Sequence, residues 1–506
     1  MLKQPTLLLM FIVSALLCPG LCHGQTFQAD TLKLQFGLKP ENWGFSLHHD
    51  TYTGNLPSAL LPIEVPAGMV VSGFQLLDCE TAVINVDDDQ DGVGNDFRIS
   101  VQTFDQRKET VNKLLVHPFR RHNGNLEQLL AARLVIQFDS LVATAVTAAG
   151  TFVNNSVLST GRWLKIAVVQ SGVHRITPAD IAAAGWNPAQ IDPRRLALFG
   201  NGGMMLPERN SAFRYDDLTE NPIVVTGEAD GSFDTGDVIY FFGQGTTAWS
   251  YNQMTIRYDH RINYYSDTTY YFLTELSRPG LRIGTKPEAT ANPNTIADIF
   301  LDYGLYENDL ENLIHSGREW YGEYFNRQKD VLNMRFHFPN RIVQRPVMIN
   351  TQLAVRSLTE TIAFSLELNG QTALAQQAFL PISAGAAAFA REQAYNITMP
   401  LAQNDSLNFV MRYHAEQDNS KGWIDFLRVN AWRQLSYLPG MQLLFRNPEA
   451  VGFNVVAQYR ISQTTPGLWL WDVTNPIRPV TQMHNTDGNL LRFNVVGDSI
   501  REYVLF

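Results

Sequence analysis

The spacing of apolar residues constrains this chain more than any other feature. Short apolar or alternating runs closed by Gly, Pro, Asn or Asp recur throughout, for instance at residues 32–36, 97–104, 133–138, 163–169, 238–242, 331–338, 348–355, 362–368, 408–414 and 423–432. Successive side chains of a strand point to opposite faces, so these runs predict half-buried strands of antiparallel sheets. Helical patterns are few. Thr177-Pro178-Ala179-Asp180 reads as an N-cap with Pro at the first helical position and Gly185 as the stop, and residues 309–314 read as another turn or two of helix. A chain of 506 residues exceeds the roughly 250–300 at which a single core stops growing. The expected fold is therefore all-β and multidomain, made of antiparallel β-sandwich or jelly-roll-like domains with a few short helices.

Breakers cluster near residues 150–156, 284–297 and 436–440, where the apolar pattern resets. The expected parts are a leader over 1–24, an N-terminal β domain over 25–155 and a β-rich domain over 156–295 with its helix near 178–185. A jelly-roll-like sandwich over 296–436 and a β segment over 437–506 complete the series. No repeat at a fixed period occurs, so solenoids and propellers lose support.

Lys3, the apolar stretch 7–17 and Cys22-His23-Gly24 form a secretory leader with cleavage expected before Gln25. Leu17 precedes Cys18 and Leu21 precedes Cys22, where lipidation requires a small residue, so a soluble exported chain is expected. Processing leaves Cys79 as the sole cysteine, and no internal disulfide can form. After residue 24 no apolar run approaches the ~20 residues of a membrane helix. With 39 basic against 49 acidic residues and a net charge of −10, the chain has no excess positive field, and nucleic acid is not an expected partner.

Chemistry-bearing patterns are sparse. Asp87, Asp89 and Asp91 alternate ahead of Gly92, a spacing that can wrap a loop around Ca²⁺. The twelfth position from Asp87 is Arg98 where an EF-hand needs Glu, which leaves a β-loop calcium site or a solvated acidic turn. Cys79 lies between apolar runs without a strained or Gly-flanked turn and reads as a small buried hydrophobe rather than a nucleophile. No Gly-x-Ser-x-Gly and no His-x-x-x-His occurs in the mature chain, and Gly200–Gly203 and Gly243–Gly245 lack the Lys-Ser/Thr of a phosphate loop. No catalytic residue is assigned. The aromatic segments 316–325 and 467–473 suit either core packing or stacking on a ligand.

Several segments together resemble the N-terminal half of the PorU-type sortases of the type IX secretion system, relatives of the gingipain cysteine peptidases. They are GRWLKIAVVQSGVHRITPADI (161–181), LALFGNGGMMLPERN (196–210), DDLTENPIVV (216–225), FDTGDVIYFFGQGTTAW (233–249), YYFLTELS (270–277), ENLIHSGREWYGEYF (311–325), GWIDFLRVNAWRQL (422–435), LWDVTNP (470–476) and REYVLF (501–506). The resemblance implies an exported surface enzyme that removes C-terminal sorting domains from secreted cargo and attaches the cargo to lipopolysaccharide. In that family the chemistry belongs to a downstream gingipain-like domain with a Gly-His-Gly base and a Cys at the end of an apolar strand. Here no mature His precedes Gly, and Cys79 lies ahead of the matching region, so no active-site residue transfers. An interrupted reading frame, a separately encoded peptidase half and a non-catalytic homologue all fit this pattern.

The expected role is accordingly an exported β-rich scaffold at the cell surface or outer membrane. Its implied partners are a gingipain-like peptidase domain, outer-membrane components of type IX secretion and cargo sorting domains. The rival is a free-standing adhesin or glycan-binding sandwich, with Trp320 and Trp423 as candidate ligand contacts; a propeptide-like inhibitor of a separate peptidase is a third. A calcium site at Asp87–Asp91 predicts that Ca²⁺ raises the thermal midpoint of chelator-treated protein and that Asp89→Asn abolishes the rise; a solvated turn predicts no change.

Overall fold

The computed structural model describes residues 28–36, 46–48, 58–63, 65, 69–84, 97–106, 109–122, 125–140 and 152–506, apart from 209–211, 254, 318, 384–387, 401–404 and 453. The chain divides into two compact units, one ending at Val146 and the other beginning at Thr147.

In the first unit, β1 (Gln28–Gln35), β2 (Ser46–His48), β3 (Ser58–Ile63), β4 (Met69–Val83), β5 (Arg98–Gln106), β6 (Glu109–His117), β7 (Phe119–His122) and β8 (Asn125–Ser140) form two antiparallel sheets. One has the order β1-β8-β4 with β7 also on β8, and the other is β2-β3-β6-β5. Leu34, Leu129, Leu134 and Ile136 from the first meet Ala59, Leu61, Leu114 and Val116 from the second in one core. Each set is spaced mainly by two residues, the periodicity that identified these runs as strands.

The second unit begins with β9 (Leu164–Val168), β10 (Gly172–Ile176), α1 (Pro178–Ala183), β11 (Leu196–Phe199), β12 (Glu220–Asn221), β13 (Val224–Val225), β14 (Ile239–Gly243), the hairpin β15 (Thr247–Asn252) and β16 (Arg257–Ile262), and β17 (Thr269–Glu275). Sheets β10-β14-β13 and β12-β11-β17-β9 enclose a core that includes Leu196, Leu198, Phe241, Tyr271 and Leu273. Helix α1 forms where its N-terminal signal stands. Thr177 Oγ1 accepts from Asp180 N at 3.3 Å, Thr177 N donates to Asp180 Oδ2 at 2.8 Å, and Gly185 follows the helix at φ +85°.

Two short strands, β18 (Thr285–Lys286) and β19 (Thr295–Ala297), precede a sandwich of β20 (Ile299–Glu307), β21 (Tyr324–Phe325), β22 (Val331–His337), β23 (Val347–Arg356), β24 (Ile362–Leu368), β25 (Gln371–Phe379), β26 (Arg391–Met399), β27 (Ser406–His414) and β28 (Lys421–Gln434). Its sheets are β20-β28-β23-β26, with β21 also on β28, and β22-β27-β24-β25. Alternation assigns the core directly: Leu407, Phe409, Met411 and Tyr413 of β27 face Ile349, Leu353 and Val355 of β23. Residues 309–314 do not form the expected helix. Glu311 N donates to Tyr321 O at 2.9 Å and Tyr321 N to Glu311 O at 2.8 Å, so this stretch is bridged back on itself, with Glu311 committed to non-local partners.

The chain closes with β29 (Leu443–Phe445), β30 (Val456–Ile461), β31 (Leu470–Asp472), β32 (Val480–Gln482), β33 (Asn485–Asp487), β34 (Leu490–Val496) and β35 (Tyr503–Leu505). They form sheets β18-β32-β31-β35-β29 and β19-β30-β34-β33 around a core rich in aromatic rings, including Phe445, Tyr459, Phe493 and Tyr503. The breaker-rich stretch 284–297 therefore supplies one parallel strand to each of these sheets.

Parts of the second unit are joined by polar clamps as well as apolar contact. Hairpin β15–β16 lies on the outer face of the β20–β28–β23 sheet, where Trp249 stacks on Tyr303 at 3.8 Å. Asn430, 1% exposed, accepts from Tyr258 N at 2.8 Å and donates to Tyr258 O at 3.1 Å, satisfying the backbone of β16 with a side chain of β28. Buried Arg446 donates to Tyr303 Oη at 2.5 Å and Glu502 Oε1 at 2.9 Å, linking the sandwich to the C-terminal sheets. Removing one side chain that satisfies two buried backbone groups costs about 2–4 kcal/mol. Asn430→Ala is expected to destabilise the second unit by that amount in denaturant unfolding, with Asn408→Ala, an exposed-strand control, near neutral.

Candidate binding face

The outer face of the β20–β28–β23–β26 sheet carries most of the unusual electrostatics. Strand periodicity puts Glu307 of β20, Arg428 and Asn430 of β28, Asn350 and Gln352 of β23, and Glu392 and Asn396 of β26 on this side, opposite the sandwich core. Half of it is covered by hairpin β15–β16. There Arg428 pairs with Asp259 at 2.5 Å, donates to Asn350 Oδ1 at 2.6 Å and reaches His260 Nδ1 at 3.0 Å. A guanidinium only donates, so His260 Nδ1 accepts and its Nε2 carries the proton, 2.8 Å from Glu307 Oε2. Burial pushes the Arg428 guanidinium down to about 10, against the pull of Asp259 and Glu307.

The other half is acidic. Opposite Gln352 and Leu353 of β23, strand β28 presents Phe426 and Ile424, and Asp425 is the extra residue of a β-bulge. Among the described residues its carboxyl makes no hydrogen bond or ion pair. Burial, followed by the charges of Glu307, Glu392, Asp309 and Glu319, pushes it up to about 8. Asp309 is raised by burial and Glu307, and Glu392 by burial and Glu319. The segment 308–323 borders this half: Glu323 accepts from Tyr306 Oη at 2.5 Å and from Asn308 Nδ2 at 2.8 Å. Such a face attracts basic groups and, with Asp425 protonated, also offers a donor. Among the described residues no group of three or more His, Cys, Asp or Glu side chains is arranged to hold a metal ion.

The residues singled out from sequence have separate fates. Asp87, Asp89 and Asp91 lie outside the described residues. Trp423 is 1% exposed; its Nε1 donates to Glu311 Oε2 at 2.8 Å, and it packs with Tyr321 and Ala354 beneath the 308–323 segment. It acts as an anchor for that segment and presents little surface to a ligand. Trp320 is half-buried in the same segment. Cys79 is exposed on β4 rather than buried as the sequence reading expected, because it follows Asp78 at φ +52° in a register shift against β8. Partial burial, opposed by Arg120 and aided by Asp78, pushes the thiol up, the reverse of what a nucleophile needs. Asp425 was not singled out from sequence. Its signal is the charged residue flanked by two apolar residues on each side in Trp423-Ile424-Asp425-Phe426-Leu427, where strict alternation fails.

Comparison with known proteins gives no matching family model and no matching curated protein. Among solved structures, the chain is similar to a dimeric latent form of PorU from Porphyromonas gingivalis, at 22% identity and a TM-score of 0.59, over 71% of this chain and 33% of that one. The chain is thus related to PorU at the level of fold and spans about a third of its length. A carbohydrate-binding module of type CBM36 in complex with calcium and xylotriose also matches, at 18% identity over 21% of this chain and 76% of that one, with a TM-score of 0.15. The CBM36-1 domain of a xylanase from the hindgut metagenome of Trinervitermes trinervoides matches at 12% identity over 26% of this chain and 94% of that one, with a TM-score of 0.17. Superpositions as poor as these last two imply nothing about the present chain.

The electrostatics of Asp425 yield a signed expectation. Its folded value near 8 lies above the ordinary carboxylate range of about 4, so the folded state binds the extra proton between those limits. Stability falls as pH rises through that window. Asp425→Asn is expected to raise the thermal midpoint at pH 8 by at least ~2 °C, with the gain shrinking to nothing near pH 4, as followed by calorimetry across pH.

Proposed function

We propose that this chain is the β-rich, non-catalytic part of a PorU-like sortase, exported to the cell surface, on which a gingipain-like peptidase part packs and cargo or outer-membrane components dock. The observation that carries this reading is the PorU-like fold over 71% of the chain, together with the PorU-like segments spread from residue 161 to residue 506. The family activity, removal of C-terminal sorting domains and attachment of cargo to lipopolysaccharide, would then be completed by the peptidase part. The state of Cys79 supports this division of labour, since a thiol raised above its usual range holds little thiolate at neutral pH.

The two parts are expected to recognise each other in solution. Mixed with the peptidase part of a PorU-like sortase, the chain should co-elute as a 1:1 complex in size-exclusion chromatography with light scattering. Alone it should leave a sorting-domain substrate intact. Cleavage by the purified chain, lost in Cys79→Ala, would overturn the non-catalytic assignment; specific glycan-array binding without complex formation would favour the adhesin reading.

A further inference from the structure

We propose that the free edge of β26 is a docking site for an extended peptide strand carrying Lys or Arg on one face and apolar residues on the other. The inference is independent of the sortase reading, because it rests on a sheet edge that pairs with no other strand among the described residues and on the charge beside it.

Strand β26 is the last in the order β20-β28-β23-β26. Its register against β23 runs without a shift from Val347↔Met399 to Val355↔Arg391. Among the described residues its backbone outside that ladder receives only side-chain bonds, from Asn350 Nδ2 to the Tyr395 carbonyl at 3.0 Å and from Gln393 Nε2 to the Ala394 carbonyl at 3.4 Å. Native edges are usually blunted by charged side chains, Pro or bulges, or covered by a helix or loop. The edge strand β25 of the partner sheet shows this protection, with two register shifts against β24. β26 carries charge only at its start, in Arg391 and Glu392; the rest, Gln393-Ala394-Tyr395-Asn396-Ile397-Thr398-Met399, has no charge, Pro or Gly, and its register against β23 has no bulge. Most of it is exposed. A straight, unblunted edge is the template for β-augmentation, in which main-chain bonds give affinity and alternate side chains give specificity.

Both faces of an added strand are specified by what lies next to them. On the inner side Tyr395 and Ile397 pack against the sandwich core and Met399 belongs to it, so the neighbouring residues of the incoming strand would be apolar. On the outer side stands Glu392, electrostatically linked to Asp425, Glu319, Glu307 and Asp309. Directly opposed cross-strand side chains approach within about 5 Å. A basic residue opposite Glu392 would therefore neutralise a face otherwise burdened by like charges, which selects a basic, extended partner over an acidic one.

The test uses the full chain and a synthetic peptide, Thr-Val-Thr-Val-Thr-Val-Lys-Val-Lys, against a version with both Lys replaced by Glu. Fluorescence anisotropy should show binding of the lysine peptide at low salt, with affinity reduced roughly tenfold for the glutamate version or for the double variant Glu392→Gln/Asp425→Asn. Hydrogen–deuterium exchange should show added protection confined to residues 391–399. Equal binding of both peptides, insensitivity to the double variant, or protection elsewhere would overturn the proposal. Protection of 391–399 that rises with protein concentration in the absence of peptide would also overturn it, in favour of pairing between two copies of this chain.

Discussion

The second unit depends on the demand that strand β28 places on its two faces. One face supplies Ile424, Leu427, Val429 and Ala431 to the sandwich core, and the other supplies Arg428 and Asn430 to hairpin β15–β16. A buried polar group is tolerable only when most of its hydrogen-bonding capacity is met, and here β16 meets that of Asn430 with its own backbone and part of that of Arg428 with Asp259. The hairpin therefore does more than cover apolar surface. It makes a strongly polar sheet face compatible with burial, and it confines the open acidic area to the half near Asp425.

Charge compensation is distributed unevenly. Arg446 is surrounded by Tyr303, Glu502 and Asp302, which hold its charge firmly despite complete burial, and Arg433 is taken by Asp302 at 2.6 Å. Among the described residues, Asp425 has carboxylates for neighbours and no cation. Among the described residues, unfavourable electrostatics concentrated at one bulge, on the same sheet face as the β26 edge, distinguish this region from others where buried ions such as Arg446 and Arg433 have partners. Natural sequences relax local consistency mainly where another requirement competes with stability, and the docking proposed above would be such a requirement on this sheet face.

The fold class was legible because alternation is a local signal. Residues 348–355, 362–368, 408–414 and 423–432 become strands β23, β24, β27 and β28, and Thr177 caps helix α1 as its motif requires. Less legible were features set by distant partners. The 309–314 pattern looked helical until Glu311 is seen bonded to Tyr321 and Trp423, and Trp423 looked like a ligand platform because its indole partner lies 112 positions away. Cys79 is exposed because a bulge against β8 re-aims it, and register between strands is not written in either strand alone. The acidic face draws on β20, β26, β28 and the 308–323 segment, so no single window of sequence contains it.

The parallel pairings of β18 with β32 and β19 with β30 bear on how the molecule is made. Lys286 and Gln482 meet across 196 positions of chain, and β35, between β31 and β29, is contributed only at residues 503–505. Closing so large a loop costs entropy before any contact repays it, and sheets dominated by such pairings fold slowly. The sheet that holds β18 can therefore be completed only once residues 503–505 are available, and the sheet that holds β19 only once β34 is, leaving β18 and β19 as waiting edges until then. Until that happens, β18 and β19 are open to capture by any neighbour that offers a strand.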